Sequence, residues 1–213
     1  MNHFKKFSSI NRFKDVYKSV VGKARFVGLD PETNEPIFDR AANIPKINFT
    51  ATVKIHGANA AVSLHKDGKM YAQSRSSETS DNAGFWQFAI SQQDRKEYFK
   101  NVLQNYLDEG YDQAIVFGEF AGQGIQKGVA VSQTEKHFYP FQVQVFKAFK
   151  NPEDVYQDQN GKTIYEEWAI LPIEEVEKFR SKAFKIIPVT DFGVKFFEID
   201  FNDDAKSGFK FCG

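Results

Sequence analysis

The sequence predicts an α+β fold built mainly on antiparallel strands. Three observations carry this reading. Short β-branched or alternating runs recur at 47–52, 60–65, 113–117 and 138–146, the pattern of buried or half-buried strands. Asp67-Gly68 lies between two such runs, which signals a tight hairpin and therefore antiparallel pairing. Two further stretches, near 9–21 and 94–106, carry apolar residues at helical spacing. The 213 residues are 41% hydrophobic and 26% charged, enough for a sizeable core. The 23 phenylalanines predict that this core is rich in aromatic rings. Lys+Arg and Asp+Glu both number 28, so a nucleic-acid partner would have to meet a local basic surface. The one cysteine, Cys212, excludes an internal disulfide and a cysteine-rich zinc site and fits a reducing compartment. No signal peptide and no apolar run long enough for a membrane span is present.

Taken in order, Ser8-Ser9 is placed to cap a helix through Val21, with Ile10, Phe13, Val16, Tyr17 and Val20 on one face. Lys5, Lys6, Arg12, Lys14 and Lys18 read more simply as solvated than as phosphate contacts. Residues 28–37, with Asp30-Pro31 and Asn34, read as a turn between short extended pieces. The strand opening at Ile47 is expected to continue through Lys54. Period two then puts Lys54 and His56 on one face and Val53 and Ile55 on the other. Gly57 follows, where the chain can turn or something can approach the backbone closely. A lysine held this way suits nucleophilic chemistry if its proton can be shed; an ordinary surface lysine is the plainer reading of this stretch alone.

The Asp67-Gly68 hairpin returns toward the strand entry and ends in Ser74-Arg75, so Arg75 is expected beside Lys54. Asp94 with Glu97 forms a capping-box pattern for a helix carrying Tyr98, Val102, Leu103 and Tyr106 and ending at Gly110. Trp86 and Phe88 are read as core rings before base-stacking ones. The apolar strand 113–117 is expected to end at Gly118, presenting Glu119 ahead of a loop with glycines at 122, 124 and 128. This spacing matches neither a dinucleotide fingerprint nor a P-loop. The run 138–146 alternates as a strand. Beyond Phe149, turns at 151–154 and 158–161, a strand at 163–170, a helix from Ile173 to Ala183 and strands at 194–201 are expected.

Lys54-x-His56-Gly57 resembles the nucleotidyl-lysine motif of covalent nucleotidyltransferases, in the Lys-x-His-Gly form of phage-type ATP-dependent RNA ligases. Ser74-Arg75, Phe117-Gly118-Glu119, Gly124-Ile-Gln126-Lys127-Gly128 and the aromatic strand with Phe141 resemble later elements of that family, in the same order. The resemblance covers about residues 1–150 and treats the whole of 1–213 as one nucleotidyltransferase-like domain of antiparallel sheets with flanking helices. It implies Lys54 as the residue that takes AMP from ATP. Nucleotide-binding roles follow for His56, Gly57, Asn59, Arg75, Glu119 and Phe141, whose ring would stack on the adenine; Phe138 and Tyr139 are the other rings in range. Glu119 is also the candidate metal residue, with Mg2+ as the implied ion. RNA ends carrying a 5′-phosphate and a 3′-hydroxyl are the implied substrates. The setting implied is RNA repair in the cytoplasm, of an infected host if the chain is encoded by a bacteriophage.

The chain departs from the family in one respect. No Glu-Gly-x-Val motif occurs, and neither Lys195 nor Lys210 is identifiable as the closing lysine. A truncated domain, or half of a split ligase completed by a second polypeptide across 194–201, is therefore expected ahead of the third explanation, that unrecognised residues of this chain fill those roles. A non-catalytic nucleotide- or RNA-binding module of the same fold, a DNA ligase and a capping-type enzyme remain alternatives.

Overall fold

The computed structural model describes residues 4–7, 11–79, 84–158 and 161–202. In chain order come helix α1 (Phe13–Arg25) and strands β1 (Phe26–Leu29), β2 (Pro36–Phe38) and β3 (Ile47–Thr52). Strands β4 (Ala58–His65) and β5 (Met70–Ser74) precede helices α2 (Gly84–Ala89) and α3 (Gln93–Asp108). Then follow β6 (Gln113–Ala121), β7 (His137–Ala148), β8 (Tyr156–Gln157), β9 (Thr163–Ile164), β10 (Glu166–Ile170) and β11 (Val194–Ile199), with short 3-10 helices between them. The chain divides into two compact units, residues 1–7 with 52–193 and residues 8–51 with 194–213.

In the smaller unit, Phe13, Tyr17, Val20, Val21 and Ala24 of α1 pack on a core of Ile44, Ile199 and Phe201. The helix begins at Phe13, with Arg12 at its N-cap and no side-chain cap; Ser8, Ser9 and Ile10 lie outside the described residues. Strands β1 and β2 pair antiparallel around a turn in which Asp30 accepts hydrogen bonds from the backbone N–H groups of Glu32 and Thr33, both at 2.9 Å, as read from sequence. β11 pairs with β3. Asn202 locks this arrangement, accepting from Ile44 N–H and donating to its carbonyl at 2.9 and 2.7 Å. In the segment expected to meet a second polypeptide, one edge of β11 is paired with β3, Ile199 and Phe201 are core residues of their own unit, and Phe196 is exposed.

The larger unit is built on a five-stranded sheet of order β10-β7-β6-β4-β5. Its assigned pairs are antiparallel, β4 and β5 forming the expected hairpin with Gly68 at φ 80°. Alternation sorts the residues onto two faces. Ala60, Val62, Leu64, Ala72, Ala114, Val116, Phe120, Phe138, Val143 and Val145 face α2 and α3, where Phe85, Phe99, Leu103 and Tyr106 complete the core. Trp86 and Phe88 pack against this core. The opposite face carries Ala61, Ile115, Phe117 and Phe146, with Phe7 packed on them.

Four expectations need correcting in detail. The capping box at Asp94 and Glu97 does not form. Helix α3 starts earlier, at Gln93, and Glu97 accepts instead from the Gln93 carboxamide at 3.0 Å. β6 does not stop at Gly118 but runs to Ala121. The strand expected at 163–170 is split at Tyr165, because β9 pairs with β8 and β10 with β7. The helix expected from Ile173 is a 3-10 helix ending at Phe179. Its buried residues, Val176 and Phe179, stand three apart, the spacing at which 3-10 side chains eclipse.

Candidate active site

Lys54 is not on a strand, contrary to the sequence expectation. β3 ends at Thr52 and β4 begins at Ala58, so residues 53–57 form the link between them. The two strands join different sheets, β3 with β11 and β4 with β5 and β6. The chain therefore leaves one ladder before it enters the next, and Lys54 falls in the gap. The alternation survives without the ladder: Lys54 and His56 are exposed, Ile55 and Gly57 half-buried. Ile55 packs on Ala121, Tyr139 and Val189 and pins the link. Val53, expected to be packed, is 49% exposed.

Gly57 anchors the lysine to β6. A Cβ at this position would lie 2.4 Å from the Phe120 carbonyl oxygen and 2.7 Å from Ala121 Cβ. Only glycine allows so close an approach. The close approach here is by the protein's own backbone. The Gly57 N–H donates to Glu119 Oε1 at 3.0 Å, and the Gln126 carboxamide donates to the Gly57 carbonyl at 3.0 Å. The stretch 54–57 thus meets 117–119 and 124–128, more than sixty residues further on, at one peptide unit. Burial pushes the Glu119 carboxyl above its ordinary pKa, against the opposing pull of the Gly57 N–H and the charges of Lys54 and His56.

The cross-strand register places the other candidates. Glu119 stands opposite Asn59 on one side and Tyr139 on the other, making a row of three side chains on one face. Ser74 stands opposite Ala60, so Arg75 follows where β5 ends, beside the entry to β4. The Ser74 hydroxyl and Ser77 carbonyl close a tight turn there, and Arg75 is exposed on it with no ion pair among the described residues. Phe141 sits at a β-bulge. Phe117 pairs with Gln142 and Gly118 with Pro140, which leaves Phe141 unopposed. Its half-buried ring lies edge-on to Phe7, centroids 5.2 Å apart, and also packs near Ile55 and Tyr139. Phe138 faces the helices, away from Glu119. Tyr139 is buried directly opposite Glu119.

Sequence reasoning gave Gln126 and Tyr139 no settled role. Gln126 was visible only as part of a glycine-rich stretch, because its partner lies 69 residues away. The motif with Gly57 and the strand register with Tyr139 were the signals available. For a metal, the described residues hold no group of three His, Cys, Asp or Glu placed to bind one. A single carboxylate, Glu119, with one oxygen used by Gly57, fits an ion that takes most of its ligands from water and substrate phosphates, as Mg2+ does.

A family model described as RNA ligase matches residues 47–202, a span that runs past Phe149 and takes in both units. Among solved structures, the Naegleria gruberi RNA ligase with PPi aligns at a TM-score of 0.51 and 15% identity, covering 97% of this chain and 47% of that one. Two lysine-to-alanine variants of the same enzyme, each with ATP and Mn, align at TM-scores of 0.44 and 0.42 with 19% and 20% identity, covering 75% of this chain and 39% of each. The chain spans less than half the length of these structures. No curated protein sequence matches it.

Proposed function

Because this chain belongs to the RNA ligase family, we propose that it carries the adenylation centre of an ATP-dependent ligase and that Lys54 is the residue that becomes adenylylated. The Lys54 amine attacks the α-phosphorus of ATP, an N–P bond forms, and pyrophosphate leaves. The AMP then passes to the 5′-phosphate of an RNA end, and a 3′-hydroxyl displaces it to seal the strand. Covalent catalysis of this kind replaces one difficult displacement by steps with good leaving groups. The Naegleria structure with PPi supports the reading, since pyrophosphate is the product of the first step.

The observation that carries it is the peptide at Gly57, gripped by Glu119 and Gln126. It fixes the link next to Lys54 without burying the amine, so the nucleophile stays open to ATP while its backbone is held. Glu119 keeps one oxygen for the ribose or for the surroundings of a metal ion. His56 hydrogen-bonds the ribose or orients Lys54, Asn59 meets the nucleoside, Arg75 meets a phosphate through its paired donors, and the Phe141 face stacks on the adenine. A divalent cation, Mg2+ in the cell, would neutralise triphosphate charge; Glu119 is the residue that would hold it. The two units act as one nucleotidyltransferase domain. The roles of the absent Glu-Gly-x-Val and closing lysine motifs are supplied by further chain or by a second polypeptide, so this chain alone adenylylates slowly and hardly seals RNA.

The test is transfer of α-labelled AMP from ATP, with Mg2+, to the purified chain. Labelling should be abolished in Lys54→Ala. Undiminished labelling of that variant would sink the assignment. Efficient multiple-turnover sealing of 5′-phosphorylated RNA by this chain alone would sink the split or truncated reading.

A further inference from the structure

A polar cavity, of about 560 Å3, opens on the helix side of the larger unit. It is lined by Gln87 and Phe88 of α2, Gln92 and Arg95 at the start of α3, Phe120 and Gln123 at the end of β6, and Glu135, Lys136 and Lys185. Glu119 and Phe120 are successive residues of one strand and point to opposite faces, so this cavity lies behind the adenylation site and apart from it.

Arg95 is the unusual member. It is only 7% exposed. One guanidinium nitrogen donates to the Phe88 carbonyl, which ties the end of α2 to α3, and the plane lies over the Phe88 ring at 4.0 Å. Its Nε is buried without a hydrogen-bond partner, and no carboxylate pairs with it among the described residues. A buried charge without a counter-charge is costly. The rest of the lining does not supply one. Glu135, the one acid in that lining, pairs with Lys185, so neither Arg95 nor Lys136 has a carboxylate partner among the described residues. The carboxamides of Gln87, Gln92 and Gln123 offer donors and acceptors around the two cations. Cations with forked donors, amides beside them and room for a nucleotide unit describe a phosphate-binding cavity.

We propose that this cavity holds a phosphate of the RNA strand, on Arg95 and Lys136, at a position separate from the nucleotide site. The proposal rests on the RNA ligase reading for the identity of the strand, while the phosphate chemistry rests on the cavity itself. Two arms separate the two. In the first, the chain is titrated into a fluorescent, 5′-phosphorylated oligoribonucleotide at several salt concentrations. Lys136→Ala is expected to weaken binding about 5- to 10-fold and to flatten the salt dependence by roughly the slope of one phosphate contact, about 0.7 for a single strand. Arg95→Lys, which keeps the charge and loses the fork, should also weaken binding. In the second arm, inorganic phosphate is compared with chloride at equal ionic strength by thermal melting. Phosphate should stabilise the wild type and Lys54→Ala alike, and Lys136→Ala less. If Arg95→Lys melts early, exposed Lys136 decides alone. Wild-type RNA affinity, salt slope and phosphate response in Lys136→Ala would overturn the proposal. Loss of the phosphate response with unchanged RNA binding would overturn the RNA assignment. Failure of AMP transfer with these effects intact would count against the adenylation reading and leave the cavity's role standing.

Discussion

The two faces of the five-stranded sheet use the same strands for opposite purposes. Toward the helices, the buried cluster from Ala60 to Val145 is apolar, and the rings of Phe85, Phe99 and Phe138 interlock with centroids 4.9 and 6.0 Å apart. On the other face the same strands bury Ser63, Gln73 and Gln144 and half-bury Glu119. Polar burial costs stability unless it is hydrogen-bonded. Two of these groups bond to the backbone of distant segments: Gln73 donates to the Lys5 carbonyl at 2.7 Å, and Glu119 accepts from Gly57 at 3.0 Å; the Ser63 hydroxyl and Gln73 carbonyl oxygens are buried without a partner among the described residues. One face therefore holds the fold together. The other packs Phe7 on a smaller apolar cluster and, through Glu119, holds the link that carries Lys54.

The largest effect that tests this contrast is on the helix face. Phe138→Ala should cost about 3–5 kcal/mol, the usual range for a buried ring, read from urea denaturation. A cost below about 1 kcal/mol would break the comparison. Gly57→Ala comes next. Its Cβ has no room against β6, so the link must move, with a stability loss of about 1–3 kcal/mol typical of overpacking and a larger proportional loss of AMP transfer. Phe141→Ala sharpens the division. If its ring stacks on adenine, ATP affinity should fall by the equivalent of about 1–3 kcal/mol, with folding little changed. Normal ATP binding together with a lowered melting temperature would assign the ring to the packing around Phe7.

The smallest effect is a pH dependence. Glu119 has its pKa raised by burial in the folded chain, so the folded state holds this proton more tightly than the unfolded one. That contribution is present on the acid side and is lost as pH rises from the ordinary carboxylate range through the raised value. Wild type should therefore lose stability relative to Glu119→Gln as pH rises above the ordinary carboxylate range, about pH 4, as followed by denaturant titrations at several pH values. A constant difference would mean that burial does not perturb this group.

Much of this architecture was legible in the residues. The Asp67-Gly68 hairpin, the helix through Leu103 and Tyr106 and the aromatic core follow from local chemistry. The errors have a common cause: signals that are local in sequence were overruled by contacts that are not. Gly118 reads as the end of a strand, yet it lies inside β6. It is small because the Phe138 ring crosses it, and a Cβ there would meet that ring at 2.5 Å. Lys54 reads as a strand residue because its neighbours alternate, but a ladder needs a partner and the partners change at Thr52. At the site, Lys54 and Glu119 were recognisable through their motifs, whereas the grip of Gln126 on Gly57 joins residues 69 apart and no local pattern announces it.

The central claim is that the exposed amine of Lys54 is the nucleophile and that the grip on Gly57 positions it. Incubation of the chain with ATP and Mg2+, followed by mass spectrometric mapping of the acid-labile, alkali-stable adduct, tests it most directly. An AMP adduct on the peptide containing Lys54 is expected. It should be absent from Lys54→Ala, which should otherwise fold with stability within about 0.5 kcal/mol of the wild type, as for exposed surface positions. An adduct on another lysine, or one that persists in Lys54→Ala, would contradict the claim.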